Sequence, residues 1–301
     1  MESMWFRRRD RPNTELRTQG EAYFGRVGVE RSAALLLTPS SVDGVPNAVP
    51  PSAEPNVSTA PVGLQGRYRQ TRQFEPERLR LARNNLVIGA GDSNEANFAY
   101  NHLRTRIVQR LQENGWNTIA ITSPSRGSGT TLTAINLAIS IARNFNYTVM
   151  LVELDLVNPS FREVLGFEQR QGIVDHLLHD VPISEIMLNP GIDGLVVIPA
   201  GSAVTNSSEL LSSPKMTRLV EELKIRHEHQ VILFDLPAVL ASDDAMAFSP
   251  CVDCVLLVVE EGETRVNDVR RALDYLRSTK ILGVVLNRSV SDVNDGKVSS
   301  R

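Results

Sequence analysis

The chain has 301 residues, 32 Lys and Arg against 35 Asp and Glu, and a formal net charge of -3. A 42% hydrophobic share with 22% charged residues is globular composition able to bury a sizeable core, and the near-neutral balance argues against a dedicated nucleic-acid binder. Two cysteines exclude a disulfide scaffold, no run reaches the length of a membrane span, and the start lacks the apolar core of a secretory signal. These features together predict a cytoplasmic protein.

Residues 1–80 carry all their positive charge as arginine, and six of the 16 prolines fall between Pro39 and Pro61. Such a stretch buries too little apolar surface to offset its ordering entropy, so residues 1–80 are expected to be a largely disordered tail. Within it Leu35-Leu36-Leu37 could form one short docking element, and Trp5 to Arg9 reads as a solvated basic run. A globular domain is expected over 81–290, followed by a short polar tail over 291–301.

Helical spacing predicts a helix over Glu95–Glu113 with Phe98, Leu103, Ile107 and Leu111 on one side. Apolar runs of strand length then alternate with amphipathic stretches. The expected strands are Thr118–Thr122, Thr148–Leu154, Leu195–Ala200, Gln230–Leu236, Cys254–Glu260 and Ile281–Asn287, and the expected helices Thr131–Arg143, Ser208–His227 and Arg265–Thr279. The strands read as nearly continuous Val, Ile and Leu, which implies burial on both faces. The fold class that follows is α/β, a mostly parallel sheet flanked by helices on both sides. Ligands of such sheets bind beyond the carboxyl ends of the strands.

The first of those ends carries Ser123-Pro124-Ser125-Arg126-Gly127-Ser128-Gly129-Thr130-Thr131. A glycine-rich loop between a buried strand and a helix turns backbone N–H groups inward and places an anion at the helix dipole. In a complete phosphate loop Lys follows the last glycine and Ser or Thr follows the Lys. Thr130 takes the lysine position here, and Thr131 the magnesium-ligand position. The alternative is a tight turn with no ligand. Further strand ends weigh against it: Glu153 and Asp155 close the second strand, and Asp235 ends an apolar strand as a Walker B aspartate does, positioned to hold Mg²⁺. Arg126 could reach a phosphate, although an arginine facing solvent is the plainer reading. Cys251 and Cys254 form a single pair with no second pair of ligands, and the histidines read as surface residues.

In these motifs the chain resembles the cytoplasmic ATPase domain of the bacterial tyrosine autokinases that regulate capsular and extracellular polysaccharide synthesis, P-loop proteins of the deviant-Walker group with MinD and ParA. The resemblance runs from about Asn94 to Asn287. It rests on the Ser123 to Gly129 loop with Asn136-Leu137-Ala138, on Asp155 with Asn158-Pro159-Ser160, and on Gly172-Ile173 with Leu177-Leu178. Ile198-Pro199-Ala200-Gly201, Glu209 to Ser213, Asp235 with Pro237, Asp244-Ala245 and Gly283 to Arg288 complete it.

The resemblance implies ATP or ADP with Mg²⁺ as cofactor. Arg126, Gly127, Ser128, Gly129, Thr130 and Thr131 would cradle phosphate, and Asn287, with Arg288 beside it, would contact adenine. Glu153, Asp155 and Asp235 would be catalytic, with Thr131, Glu153 and Asp235 around the metal. It also implies a membrane polysaccharide chain-length regulator or co-polymerase as partner, peripheral attachment to the inner membrane through it, and a homo-oligomer.

Five departures set the functional expectation. Thr130 replaces the lysine, Glu153 the first acidic-motif aspartate, and Val157 a basic residue. The Glu and two Arg of the family's oligomerisation helix correspond to Phe98, Asn101 and Arg104, and no tyrosine follows Asn287 where most autokinases carry an acceptor cluster. Losing one preorganised phosphate cation costs on the order of 3 kcal/mol in the transition state. The expectation is a nucleotide-binding regulator with weak or lost kinase activity; the alternatives are an active kinase or ATPase in which another cation serves, and a positioning ATPase of the MinD and ParA kind.

Overall fold

The computed structural model describes residues 35–37, 71–76, 86, 95–144, 146–224 and 229–289. The boundaries expected near residues 80 and 290, the Trp5–Arg9 run and His227 lie outside the described residues. One sheet organises the rest. Its strands are β1 (Leu35–Leu37), β2 (Arg72–Gln73), β3 (Thr118–Thr122), β4 (Thr148–Glu153), β5 (Leu188–Asn189), β6 (Leu195–Ile198), β7 (Gln230–Asp235), β8 (Cys254–Glu260) and β9 (Lys280–Asn287). Their spatial order is β1-β9-β8-β3-β7-β4-β6-β5-β2, and the six strands from β9 to β6 are parallel.

Alternation along the strands feeds two separate cores. Ile119, Ile121, Leu151 and Leu233 point to one face, where they meet Leu103, Ile107, Ile135 and Ile139 of helices α1 (Glu95–Asn114) and α2 (Thr130–Ala142). Ala120, Met150, Val152 and Phe234 point to the other. There they meet α4 (Ile173–His179), α6 (Ser207–Leu211), α7 (Pro214–Lys224), α8 (Asp244–Phe248) and α9 (Val266–Tyr275). Helices on both faces are what a parallel sheet requires, so the nearly unbroken apolar runs have their physical cause. Two further short helices, α3 (Phe161–Leu165) and α5 (Ile183–Ile186), fill the connections after β4 and before β5.

Three local outcomes differ from expectation. The helix expected over Ser208–His227 is two helices. Ser213 accepts the Met216 N–H at 3.2 Å as a cap, and Pro214, lacking an N–H, opens α7. Phe98 is 53% exposed, its ring tilted 56° against His102 with centroids 4.3 Å apart, while its neighbours Ala99 and Tyr100 are buried; the seam of α1 runs through Tyr100, Leu103, Ile107 and Leu111. Leu35–Leu37 does dock, but within the chain, as an antiparallel strand on the edge of β9. Arg104, the remaining arginine of the expected oligomerisation helix, points inward and donates to the Ser140 carbonyl at 3.2 Å.

Candidate functional site

The carboxyl ends of β3, β7 and β4 are knitted together before any side chain acts. The Leu236 N–H donates to the Ile121 carbonyl at 2.9 Å, the Leu154 N–H to Asp235 at 2.8 Å and the Val239 N–H to Ser123 at 2.9 Å, while Thr122 Oγ1 donates to the Pro237 carbonyl at 2.6 Å. Strand order reverses here, since β3 sits between β8 and β7 while its successor β4 lies beyond β7. Such a switch point opens a crevice in a doubly wound sheet. A cleft of about 450 Å³ occupies it, within the usual size of a small-molecule site.

The loop from Ser123 to Thr131 forms one wall. Its backbone turns through left-handed geometry at Gly127 (φ 86°) and Gly129 (φ 81°), which L side chains rarely adopt. Ser123 Oγ and Ser128 Oγ both donate to the Ser125 carbonyl, at 2.9 and 3.0 Å, so the two hydroxyls brace the loop from within. Gly129 stands at the N-cap of α2, where no side chain caps the first N–H groups and no acid sits in the first turn. Uncapped donors at the positive end of a 13-residue helix leave a ready anion site.

Arg126, Gly127, Gly129, Thr130 and Thr131 all border the cleft, with Asp155 opposite. Ser128, Glu153, Asp235, Asn287 and Arg288 are not among the lining residues; Asp235 lies just behind the wall, next to Leu236 and Pro237, which do line it. Glu153, expected as a catalytic group and magnesium ligand, serves the backbone instead. Oε1 accepts the Ser160 N–H at 2.5 Å and the Phe161 N–H at 2.7 Å, and Oε2 accepts the Ala200 N–H at 3.0 Å. Burial raises its pKa and these three donors oppose the rise. The cause is local: the start of α3 and the turn after β6 both present N–H groups that need a buried acceptor.

Asn287, expected against adenine, is 4% exposed, and its Nδ2 donates to the Ser128 carbonyl at 2.9 Å. Arg288 has φ 55° and pairs with Glu260 at 2.5 Å, away from the loop. These contacts form only when β9 lies beside β8, so nothing in the order of residues announced them.

Asp235 is the outlier. It is 1% exposed, and neither carboxylate oxygen has a hydrogen-bond partner of normal geometry. Burial drives its pKa well above the ordinary carboxylate value; the nearby Thr131 hydroxyl offsets this in part, while Glu153 and Asp155 add to it. Asp155 is raised by burial, held back by the Asn158 N–H at 2.9 Å, raised by Asp244 and lowered by Arg126. Asp244 is satisfied by Ser207 at 2.7 Å and Ser242 at 3.1 Å.

Among the described residues no three His, Cys, Asp or Glu side chains converge on a metal. Magnesium in nucleotide sites takes one or two protein groups and completes its shell with phosphate and water. An orphaned buried carboxylate beside a threonine hydroxyl, next to an uncapped helix start, fits such an ion and its nucleotide. Of the other candidates, burial pushes the Cys254 thiol up, Cys251 is a free thiol 3.8 Å from Thr217 Oγ1, and His176 Nδ1 lies 2.8 Å from the Val181 carbonyl. No helix among the described residues is long and apolar enough to cross a membrane.

A family model described as AAA domain (AAA_31) matches residues 116–280. The tyrosine-protein kinase CpsD of Streptococcus pneumoniae serotype 4 is 31% identical over 198 residues, covering 65% of this chain and 85% of that protein. The succinoglycan biosynthesis transport protein ExoP of Rhizobium meliloti is 33% identical over 187 residues, which is 60% of this chain and 23% of ExoP. The chain thus spans roughly a quarter of the length of several curated relatives it matches. Among solved structures, the kinase domain of the Escherichia coli tyrosine kinase ETK superposes with a TM-score of 0.63 at 21% identity, covering 76% of this chain and 94% of that domain, and shares the fold.

Proposed function

We propose, from the premise that the chain belongs to the AAA domain family and, within it, to the bacterial tyrosine-protein kinases, that it binds a magnesium nucleoside phosphate in the cleft after β3 and regulates polysaccharide synthesis with weak or lost phosphoryl transfer. One observation carries this reading. The loop, the uncapped start of α2 and the orphaned Asp235 retain what binding needs, while Thr130, on the cleft wall, brings no charge to the position where transfer needs one.

The roles divide by chemistry. Backbone N–H groups of the loop and of the first turn of α2 receive phosphate oxygens, as their left-handed glycines and the helix dipole permit. Thr131 and Asp235 would hold Mg²⁺, which when bound neutralises phosphate charge. Arg126 is exposed at the rim and supplies the one positive side chain that borders the cleft among the described residues. Asp155, oriented by the Asn158 N–H, is the cleft carboxylate placed to accept a proton from an incoming hydroxyl. Glu153 keeps the loop that carries Asp155 and Ser160 in place.

The succinoglycan role in the name of ExoP supports a place in polysaccharide export. The proposed partner is a membrane polysaccharide chain-length regulator, docked at the inner membrane from the cytoplasmic side, and the folded domain of residues 81–290 also takes in β1 and β2 from the segment expected as a tail. A homo-oligomer would have to use contacts other than Arg104, which is spent internally.

Titration with a fluorescent ATP analogue, with and without Mg²⁺, tests the binding half: magnesium-dependent saturation is expected, and its absence at millimolar ligand would refute it. Thr130→Lys tests the catalytic half. A rise in phosphoryl transfer of about a hundredfold is expected. An unchanged, robust rate in both proteins would favour the second reading, an active kinase in which Arg126 supplies the charge.

A further inference from the structure

The strand end that resembled a base-contacting segment is built into the phosphate loop. Asn287 closes β9, and its backbone is fixed on both sides: its carbonyl accepts the Glu261 N–H at 3.1 Å, and the next residue turns into left-handed geometry with its guanidinium on Glu260. The side chain is therefore aimed before any ligand arrives. It runs under the loop, where Nδ2 donates to the Ser128 carbonyl at 2.9 Å. The approach is so close that a Cβ on Gly129 would stand 2.2 Å from that nitrogen.

A peptide group is planar and trans, so its C=O and the following N–H point in opposite directions. By taking the Ser128 carbonyl toward β9, Asn287 turns the Gly129 N–H away from β9, on the side where Gly129 borders the cleft. Without that donor the Ser128 carbonyl would be a buried acceptor with no fixed partner, and the peptide could rotate to present oxygen to an anion. A loop with no lysine depends on its amides for attraction, so the orientation of each peptide counts for more here.

We propose that Asn287 is a positioning residue for phosphate, orienting the Ser128–Gly129 peptide so that its amide faces the anion, and that its contribution to affinity runs through the phosphates. The proposal rests on the nucleotide-binding reading above. It implies that the site distinguishes nucleotides through their phosphates and not through Asn287.

The test uses the full chain and the variants Asn287→Asp, nearly isosteric but unable to donate, and Asn287→Ala, which carries no charge. Calorimetric titration measures Mg-ATP, Mg-GTP and inorganic tripolyphosphate, and the ¹⁵N-amide resonance of Gly129 is followed without ligand. All three ligands should weaken by a similar factor of about tenfold or more. The ATP-to-GTP ratio should stay as in wild type, and the Gly129 resonance should move in both variants. Weakening of Mg-ATP alone, with tripolyphosphate unaffected, would make Asn287 a base ligand and overturn the proposal, as would an unmoved Gly129 resonance. Wild-type protein that binds none of the three refutes the nucleotide reading and this role with it. Wild-type binding matched by both variants refutes this role alone.

Discussion

Two aspartates at opposite edges of the sheet show how the same side chain serves two ends. Asp253, just before β8 at the amino edge, accepts the Asn117 N–H at 2.9 Å, the Thr118 N–H at 3.0 Å, the Thr118 hydroxyl at 2.7 Å and Lys224 Nζ at 3.0 Å. Burial alone would raise its pKa, but these donors outweigh burial and hold it below the ordinary value. Asp235, at the carboxyl edge, is more deeply buried, has no such donor, and is driven upward. The amino edge is finished by the fold. The carboxyl edge is left incomplete, and an incomplete buried carboxylate beside an anion cradle is where a cation belongs.

Four experiments sharpen or break that contrast. Asp235→Asn should have the largest effect. It should lower Mg-nucleotide affinity by about a hundredfold, the scale of removing one charge-bearing ligand, and raise the melting temperature at neutral pH by a few degrees. The sign follows from linkage. A raised folded pKa means that, above the unfolded value of about 3.9, the folded state holds a proton the unfolded state has lost, so stability falls as pH climbs toward the folded pKa. The stabilisation by Asn should therefore shrink below pH 4, and a melting temperature unchanged at pH 7 would count against a strained Asp235.

Asp253→Ala should behave oppositely, destabilising the domain by about 2–3 kcal/mol because it strands donors at a partly buried site, with nucleotide affinity unchanged. Since the folded pKa of Asp253 is depressed, its contribution should be present above about pH 3.9 and disappear as pH falls through the folded value. Chemical denaturation at pH 7 and pH 3 checks both statements. Gly129→Ala should cost about 2 kcal/mol of stability, from a left-handed residue forced against the Asn287 amide, and should abolish saturable nucleotide binding. Smallest, Thr118→Val should cost about 1 kcal/mol, since it removes a hydroxyl that donates to Asp253 Oδ2 and accepts the Asp253 N–H, without touching the cleft.

The sheet was legible from residue order because burial on both faces leaves long runs of Val, Ile and Leu that no amphipathic element would tolerate. β3 and β8 match expectation residue for residue, and β4, β6 and β7 end only one or two residues early. The break at Ser213-Pro214 carried a readable signal, a capping serine before an N1 proline, that helical periodicity obscured. Phe98 and Tyr100 could not be separated by periodicity, because both lie near the border of the apolar stripe and packing on α2 chose between them.

The loop and the acidic strand ends were likewise visible as residue types in an order, and their roles were not. Glu153, Asp235 and Asp155 read alike as carboxylates at strand ends, yet one is consumed by three backbone N–H groups, one is left bare and one faces the cleft. Hydrogen-bond donors supplied by α3 and by the turn after β6 made that division, and those segments lie far from Glu153 along the chain or are silent in composition. Asn287 and Ser128 are 159 positions apart and meet only because β9 is the neighbour of β8 and β8 of β3. Local order fixes which groups stand at an edge, since periodicity and turn chemistry act over a few residues; which of those groups remains unsatisfied is settled only when distant backbone closes around them.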